Sequence, residues 1–124
     1  MKIEHEPRWR WLITFLMIGT VGALLAGCFY VANRPPMASF TVTPMSGPTP
    51  LNAHFDASAS TDVDGTIVTY AWNFGDTQSA SGVLADHVFT VQSESKVFTV
   101  ILTISDDDGV TDQATANVAV SSVP

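Results

Sequence analysis

Acidic residues are the side chains in this sequence whose types and spacing best suggest chemistry. Asp62-Val-Asp64-Gly65 has the spacing of the first ligands of a calcium-binding loop, where alternate carboxylates surround a hard cation. The complete loop pattern places a glutamate at the twelfth position, where this chain has Asn73. We therefore expect calcium, if it binds, to be held by Asp56, Asp62 and Asp64 with backbone carbonyl oxygens. The alternative is a solvated turn in which Asp and Gly serve backbone geometry alone.

A second and denser group of acids, Asp106-Asp107-Asp108 followed by Asp112, lies in a predicted hairpin turn. A hydrolase that uses paired carboxylates needs two acids at a defined separation in a cleft, and nothing in this segment predicts a cleft. The serines lack the G-x-S-x-G setting of an activated nucleophile. The single cysteine and the three scattered histidines predict no zinc site. We therefore expect no enzyme activity, no cofactor and no small-molecule substrate.

Charge is distributed unevenly along the chain. Residues 1–34 carry four basic residues against Glu4 and Glu6, whereas residues 35–124 carry Lys96 alone against ten acids. Nucleic-acid binding requires clustered Lys and Arg side chains that neutralise phosphates, so we expect no nucleic-acid partner. The acidic and hydroxyl-rich C-terminal part is better suited to contact with basic proteins.

The N-terminal part of the chain predicts a membrane-spanning helix. Residues 11–32 contain no charged side chain. A helix of that length would be about 33 Å long, enough to cross the hydrocarbon core of a bilayer. Arg8 and Arg10 precede this segment and Arg34 follows it. The excess of basic residues before the span places residues 1–10 in the cytoplasm. The remainder of the chain would then face the periplasm or the exterior of a bacterial cell.

The same segment has an alternative interpretation as a cleaved export signal. Leu25-Ala26-Gly27-Cys28 resembles the lipobox of bacterial lipoproteins. That resemblance implies cleavage before Cys28 and attachment of lipid to its sulfur. The apolar run continues to Ala32, however, and Glu4 and Glu6 are unusual in an export signal. These features favour an uncleaved anchor, and lipidation of Cys28 stays open as the alternative.

Small residues line one face of the predicted helix. Gly19, Ala23 and Gly27 are spaced four residues apart, which lets a neighbouring helix approach closely in lipid. This pattern favours docking on a larger integral membrane complex. The alternative is that these are ordinary small residues of a membrane span without a packing role. Residues 33–36 contain two consecutive prolines and predict a stiff, extended linker after the span.

Residues 37–124 predict an all-β domain. Their apolar residues alternate with polar ones in short runs rich in Val, Ile, Thr and aromatic residues, and Gly, Pro, Asp and Ser separate these runs. Short strands at this spacing are typical of a two-sheet sandwich. We predict strands at 38–43, 51–57, 67–74, 83–89, 97–105 and 113–120, with a turn at 45–50.

One stretch of this domain matches a known signature. Asp62-x-Asp64-Gly65-x-Ile67-x-x-Tyr70-x-Trp72-x-Phe74-Gly75-Asp76 resembles the signature of the PKD domain, as do His87-x-Phe89, the strand 98–104 and Asp106-x-x-Gly109. The resemblance covers about residues 36–121 and implies an immunoglobulin-like β-sandwich. It also implies an extracellular spacer or interaction module without catalytic activity, of a kind that in some cases binds calcium.

The residues of the signature also have a direct physical interpretation. Tyr70, Trp72 and Phe74 are large aromatic residues suited to a sandwich core. Gly75 permits a turn that a β-carbon would obstruct, and Asp76 can accept hydrogen bonds from turn amides. The chain departs from the family at Thr77, where a second glycine is usual, and at residues 92–96, which replace a short Pro-Gly turn.

One membrane span and one sandwich without a catalytic constellation favour a non-catalytic accessory subunit. We expect its extracytoplasmic domain to contact other proteins within a larger membrane complex, with the bilayer and that complex as its partners. No strand is predicted between residue 120 and Pro124, so we expect no further domain for the sandwich to position. The alternative is a surface lipoprotein that binds polysaccharide or another envelope protein.

Overall fold

Alternating apolar and polar residues fold the described part of the chain into β-strands. The computed structural model describes residues 30–124, and Asn33–Pro124 forms one structural unit. Its strands are β1 (Thr41–Thr43), β2 (Ser46–Pro48), β3 (Leu51–Asp56), β4 (Ile67–Asn73), β5 (Ser79–Ser81), β6 (Leu84–Phe89), β7 (Lys96–Asp106) and β8 (Thr111–Ser121).

The strands form two sheets that pack face to face. One sheet has three strands in the order β1-β3-β6, and the other has five in the order β2-β8-β7-β4-β5. Every pairing is antiparallel except that of β2 with β8, which is parallel. The apolar faces of the two sheets meet in a shared core, so the architecture is the predicted all-β sandwich.

The β7–β8 hairpin is the longest element of the larger sheet. Its two strands have 11 residues each and stay in continuous register from Lys96↔Val120 to Ser105↔Thr111. Along β7 the buried apolar residues are Phe98, Val100, Leu102 and Ile104. This period of two buries one face of the strand and leaves a hydroxyl-rich face outside, as the sequence predicts.

Aromatic rings fill the space between the two sheets. The ring of Trp72 lies 5.1 Å from that of Phe40, edge to face, and 5.4 Å from that of Phe55. Phe55 also contacts Phe74 at 5.3 Å between centroids. The indole N–H of Trp72 donates a 2.8 Å hydrogen bond to the carbonyl oxygen of Gly82. The polar atom of the largest core side chain therefore has a hydrogen-bond partner. The aromatic pairs add to the stabilisation that comes from burial.

Two strands were not expected from the sequence pattern. The prediction of a simple turn at 45–50 is wrong, because Ser46–Pro48 forms β2 beside the end of β8. The backbone carbonyl of Met45 accepts a hydrogen bond from the N–H of Ala119 at 2.9 Å, which starts this pairing. The second is β5, whose Ser-Ala-Ser sequence has no apolar alternation. Both strands exist because a neighbouring strand pairs with them, which local sequence does not encode.

The predicted N-terminal features lie largely outside the described residues. The lipobox 25–28 and the helix face formed by Gly19, Ala23 and Gly27 fall wholly outside them, and the predicted span 11–32 almost wholly. Within residues 30–124, no helix has the length and apolar character needed to cross a bilayer. The membrane anchor and the lipidation of Cys28 therefore stay predictions.

We predict that Trp72→Ala destabilises the sandwich strongly. The side chain is 2% exposed, so its loss leaves a large cavity and should lower the free energy of unfolding by about 3–5 kcal/mol. Urea unfolding of the chain, followed by far-ultraviolet circular dichroism, measures this change. Val63→Ala removes an apolar side chain that is 72% exposed, and should change the free energy by about 0.5 kcal/mol or less. Equal effects of the two substitutions would contradict the described core.

Candidate functional site

Residues 74–78 form the turn that follows β4, which we call the signature turn. Its backbone conformation and local hydrogen bonds fix its shape. Gly75 has a φ of +75°, and a β-carbon there would lie 2.5 Å from the carbonyl oxygen of Thr99. The side chain of Asn73 accepts a hydrogen bond from the N–H of Gly75, and Asp76 accepts one from the N–H of Gln78. Glycine is therefore required at position 75 both by conformation and by close approach to β7.

Thr77 occupies the position where a second glycine is usual, and it keeps a glycine-like conformation. Its φ is +75°, in the left-handed region that β-branched residues rarely adopt. Such a conformation costs on the order of 1–3 kcal/mol and persists only where neighbouring contacts fix it. The contact between the N–H of Phe74 and the carbonyl oxygen of Gln78, at 3.1 Å, closes the turn around this residue.

A histidine–aspartate pair joins the signature turn to the smaller sheet. Nε2 of His87 on β6 lies 2.7 Å from Oδ2 of Asp76, and the two side chains are 13% and 19% exposed. The imidazole stacks on the ring of Phe74 with centroids 4.0 Å apart and planes 4° from parallel. The edge of Phe89 packs against the same imidazole at 4.6 Å. This arrangement positions the turn by linking one sheet to the other.

A polar groove of about 840 Å³ lies beside this turn. Hydroxyl, amide and charged groups line it, among them Asp76, Gln78, Thr90, Glu94 and Lys96. The ammonium of Lys96 lies 4.8 Å from the centroid of Phe98, whose ring is 3% exposed. The groove can therefore hydrogen-bond a polar ligand, but Phe98 does not present an open ring face on which a sugar could stack.

The predicted calcium loop forms a tight turn around Gly65. Oδ1 of Asp62 accepts hydrogen bonds from the N–H groups of Asp64 and Gly65, and Asp107 accepts one from the N–H of Thr66 at 2.9 Å. A β-carbon on Gly65 would lie 2.5 Å from Oδ1 of Asp107 and 3.0 Å from Oδ2 of Asp62. Oδ2 of Asp62 is buried without a hydrogen-bond partner among the described residues.

The third predicted calcium ligand, Asp56, serves a different turn. Its carboxylate accepts a hydrogen bond from the backbone N–H of Ser58 at 2.9 Å. Hydrogen bonds donated by the side chain and the backbone of Ser58 hold the pKa of Asp56 below its usual value. Within residues 30–124, no group of three or more His, Cys, Asp or Glu side chains is arranged to hold a metal ion. Calcium binding by Asp56, Asp62 and Asp64 with backbone carbonyl oxygens stays a prediction.

Asp106 is a structural residue that sequence reasoning placed in an ordinary acidic turn. It is 2% exposed and accepts hydrogen bonds from the side chain of Asn33 at 2.7 Å and from the backbone N–H groups of Asp108 and Val110. Burial opposes ionisation of Asp106, but these hydrogen bonds outweigh it and hold the pKa of its carboxyl below the usual range. The bond to Asn33, 73 positions away, also attaches the start of the domain to the β7–β8 turn.

The outward side of the five-stranded sheet is a broad surface that we name the uncharged face. None of its side chains is ionisable. They are Ser46, Pro48, Thr69, Ala71, Asn73, Ser79, Ser81, Val97, Thr99, Ile101, Thr103, Ser105, Thr111, Gln113, Thr115, Asn117, Ala119 and Ser121. Strand dimensions make this face about 27 Å long and about 19 Å wide.

Polar side chains on the uncharged face bond to one another. The hydroxyl groups of Thr69 and Ser105 are 2.8 Å apart. The amide of Gln113 donates to the hydroxyl of Thr103 at 2.9 Å. The hydroxyl of Thr99 donates to the side-chain oxygen of Asn117 at 3.0 Å. These cross-strand pairs stabilise the sheet and satisfy part of the hydrogen-bonding capacity of the face without water.

Comparison with known proteins identifies relatives of the domain. A family model described as the PKD domain matches residues 33–120. A microbial collagenase of Vibrio alginolyticus is 30% identical over 93 residues, which is 75% of this chain but 11% of the collagenase. The chain therefore spans about a tenth of the length of that relative.

Solved structures give the same fold. The PKD1 domain of Vibrio anguillarum Epp is 29% identical over 74% of this chain and all of that chain, with a TM-score of 0.60. The PKD1 domain of the Vibrio cholerae metalloprotease PrtV is 27% identical over 71% of this chain and 99% of that chain, with a TM-score of 0.59. A structure concerning carbohydrate-binding modules of the β-sandwich superfamily is 32% identical over 75% of this chain and 37% of that chain, with a TM-score of 0.68. The predicted sandwich and its resemblance to the PKD domain are confirmed.

We predict that Gly75→Ala costs more stability than the same substitution at Gly109. Both glycines have positive φ, +75° and +84°, but a β-carbon on Gly109 meets nothing within 4 Å. Gly109→Ala should therefore cost only the conformational penalty, about 1–2 kcal/mol. Gly75→Ala should cost about 1–3 kcal/mol more, because its β-carbon overlaps the carbonyl of Thr99. Urea unfolding compares the two variants, and equal losses would contradict the described approach of the turn to β7.

We also predict an acid-sensitive contribution from Asp106. Because its folded-state pKa is lowered, the stability that it contributes is present in full above the ordinary aspartate pKa of about 3.9. That stability is lost as the pH falls through the lower folded-state pKa. Asp106→Asn should lower the melting temperature at neutral pH and flatten its decline in acid.

Melting curves recorded from neutral pH down to strongly acidic pH measure the contribution of Asp106. Glu94→Gln is the matched control, since it removes one negative charge from an exposed loop. A melting temperature that declines equally steeply in acid for Asp106→Asn and for the unmodified chain would contradict the assigned role.

Proposed function

Because this chain belongs to the PKD domain family, we propose that it is a non-catalytic binding module that contacts another protein. The PKD domain is a non-catalytic β-sandwich module in its relatives, although those relatives are parts of enzymes. In the proposal, residues 11–32 anchor the chain in a bacterial membrane and the sandwich lies in the periplasm or outside the cell. The module then acts as an accessory subunit of a larger membrane complex.

The uncharged face is the observation that carries this proposal. Protein interfaces are depleted of charged residues at their centres, and this face has no ionisable side chain although residues 35–124 contain ten acids. Ile101, Val97 and Ala71 add apolar atoms among its hydroxyl and amide groups. A partner that covers this face would not have to desolvate a carboxylate.

Hydrogen bonding within the uncharged face lowers the cost of covering it. A buried polar group without a partner costs about 1–3 kcal/mol. The side-chain pairs Thr69–Ser105, Thr103–Gln113 and Thr99–Asn117 keep a partner after water leaves. The estimated dimensions correspond to about 500 Å², compared with about 800 Å² for each partner in a standard interface. We therefore expect a partner to extend beyond the face onto the ends of the sandwich.

Polysaccharide binding is the second candidate function. It is favoured by the polar groove beside the signature turn and by the similarity to a structure concerning carbohydrate-binding modules. In this alternative, Gln78 and Lys96 would hydrogen-bond sugar hydroxyl groups. The covered ring of Phe98 counts against tight binding, because sugars commonly bind on exposed aromatic faces.

We predict that Thr115→Glu disrupts the proposed interface. Thr115 is exposed and lies opposite Ile101 near the middle of the uncharged face. A carboxylate buried there without a partner should weaken association at least tenfold, which corresponds to about 1.4 kcal/mol. The measurement is recovery of a stoichiometric partner when the full chain is purified from its native membranes in mild detergent.

Thr43→Glu is the matched control, because Thr43 is exposed on the smaller sheet. Equal recovery of the partner with both variants would contradict an interface on the uncharged face. Sedimentation with insoluble peptidoglycan or cellulose, reduced by Gln78→Ala but not by Thr115→Glu, would support the polysaccharide alternative.

A further inference from the structure

One edge of the smaller sheet has unpaired backbone groups. β6 is the end strand of that sheet and pairs only with β3. The N–H of Ala57 donates to the carbonyl oxygen of Val83 at 2.9 Å, in register with the antiparallel ladder that follows. Hydrogen-bonded pairs alternate along such a ladder. The N–H and C=O groups of Leu84, Asp86 and Val88 therefore point away from β3, and no other described strand pairs with them.

β6 has fewer of the features that protect an edge strand than the other three end strands, although Asp86 places one charge in it. The other end strands, β1, β2 and β5, have three residues each, and β2 contains Pro48. β6 has six residues, contains no proline or lysine, and pairs with β3 without a register shift. Natural proteins usually block such an edge because it is a template for an added strand. An open edge of this length can therefore accept another extended segment.

The outward side chains of β6 define the chemistry of that segment. Leu84 and Val88 are 56% and 51% exposed. Between them, the Asp86 side chain is 71% exposed and lies 2.8 Å from Nδ1 of His54, which is on the β3 side of the strand. The incoming segment would therefore meet an apolar, an acidic and an apolar residue in turn. Side chains directly opposite one another interact favourably when they are apolar pairs or opposite charges.

We propose that the β6 edge accepts an extended segment of a partner protein as a fourth strand of the smaller sheet. That segment presents an apolar residue, a Lys or Arg, and an apolar residue at alternate positions, so that the basic residue faces Asp86. A second copy of this chain fits poorly, because antiparallel self-pairing centred on this strand places Asp86 opposite Asp86. This surface is separate from the uncharged face, so the proposal goes beyond the function proposed above.

A fluorescein-labelled peptide with the sequence Thr-Val-Thr-Lys-Thr-Val-Thr is the probe for this edge. Its anisotropy is measured with the full chain in a neutral detergent, and hydrogen exchange of the chain is followed by mass spectrometry. We expect the peptide to slow exchange in residues 84–89, because the free N–H groups of β6 gain partners. Protection confined to other segments would overturn the proposal.

Val88→Pro tests the backbone contact. It removes an N–H that points away from β3, so the β3–β6 ladder is retained, as proline is tolerated on edge strands. We expect at least tenfold weaker peptide binding, whereas Val88→Thr keeps the N–H and should bind within about threefold of the unmodified chain. Unchanged binding by a folded Val88→Pro chain would overturn the proposal. Should melting curves show that this variant is unfolded, the charge exchange below decides the question.

Exchange of the two charges tests the partner chemistry. Asp86→Lys should weaken binding of the lysine peptide by about threefold or more and should strengthen binding of the corresponding glutamate peptide. If the Asp86→Lys chain does not bind the glutamate peptide more tightly than the lysine peptide, the assignment of a basic partner would be overturned. If the chain dimerises and Val88→Pro abolishes the dimer, a second copy of the chain occupies this edge. That result would also overturn the proposal. Thr115→Glu should leave peptide binding unchanged, so loss of the uncharged-face interface is distinguishable from loss of this one.

Discussion

The contact of aromatic rings between the two sheets is the interaction on which the rest of the structure depends. Trp72 on β4 and Phe74, the residue after β4, extend inward, and Phe55 and Phe89 meet them from β3 and β6. Because these rings fix the distance and register of the sheets, they also fix which side chains face outward. The uncharged face, the open β6 edge and the signature turn are all positioned by this core, and each would be lost with it.

Carboxylates in this domain serve mainly to build turns. Asp62 closes the turn around Gly65, Asp76 joins the signature turn to His87, and Asp106 connects the β7–β8 turn to Asn33. Backbone N–H groups at turns need acceptors when strands end, and aspartate supplies them at short range. The acidic composition of this domain therefore does not by itself imply hydrolysis. The use of carboxylates in turns also leaves the outward face of the five-stranded sheet without ionisable side chains.

The sequence predicts the parts of the fold that rest on local pattern. The alternation of β7 and the aromatic positions of β4 are sufficient to place the core, because both strands bury one face. The sequence does not predict β2 or β5, whose short polar segments become strands only through pairing with β8 and β4. Strand order is equally absent from local pattern, so the edge position of β6 emerges only in the structure. The hydrogen bond between Asn33 and Asp106 joins residues too distant in sequence to be paired by spacing.

In the function proposed above, this chain acts by binding another protein through the uncharged face. Maleimide labelling of single-cysteine variants in intact native membranes tests that claim most directly, with the unmodified chain as the background for Cys28. Thr115→Cys should be protected in membranes and become reactive after the chain is purified away from its partners, whereas Thr43→Cys should react in both states. Equal labelling of Thr115→Cys before and after purification would contradict the claim.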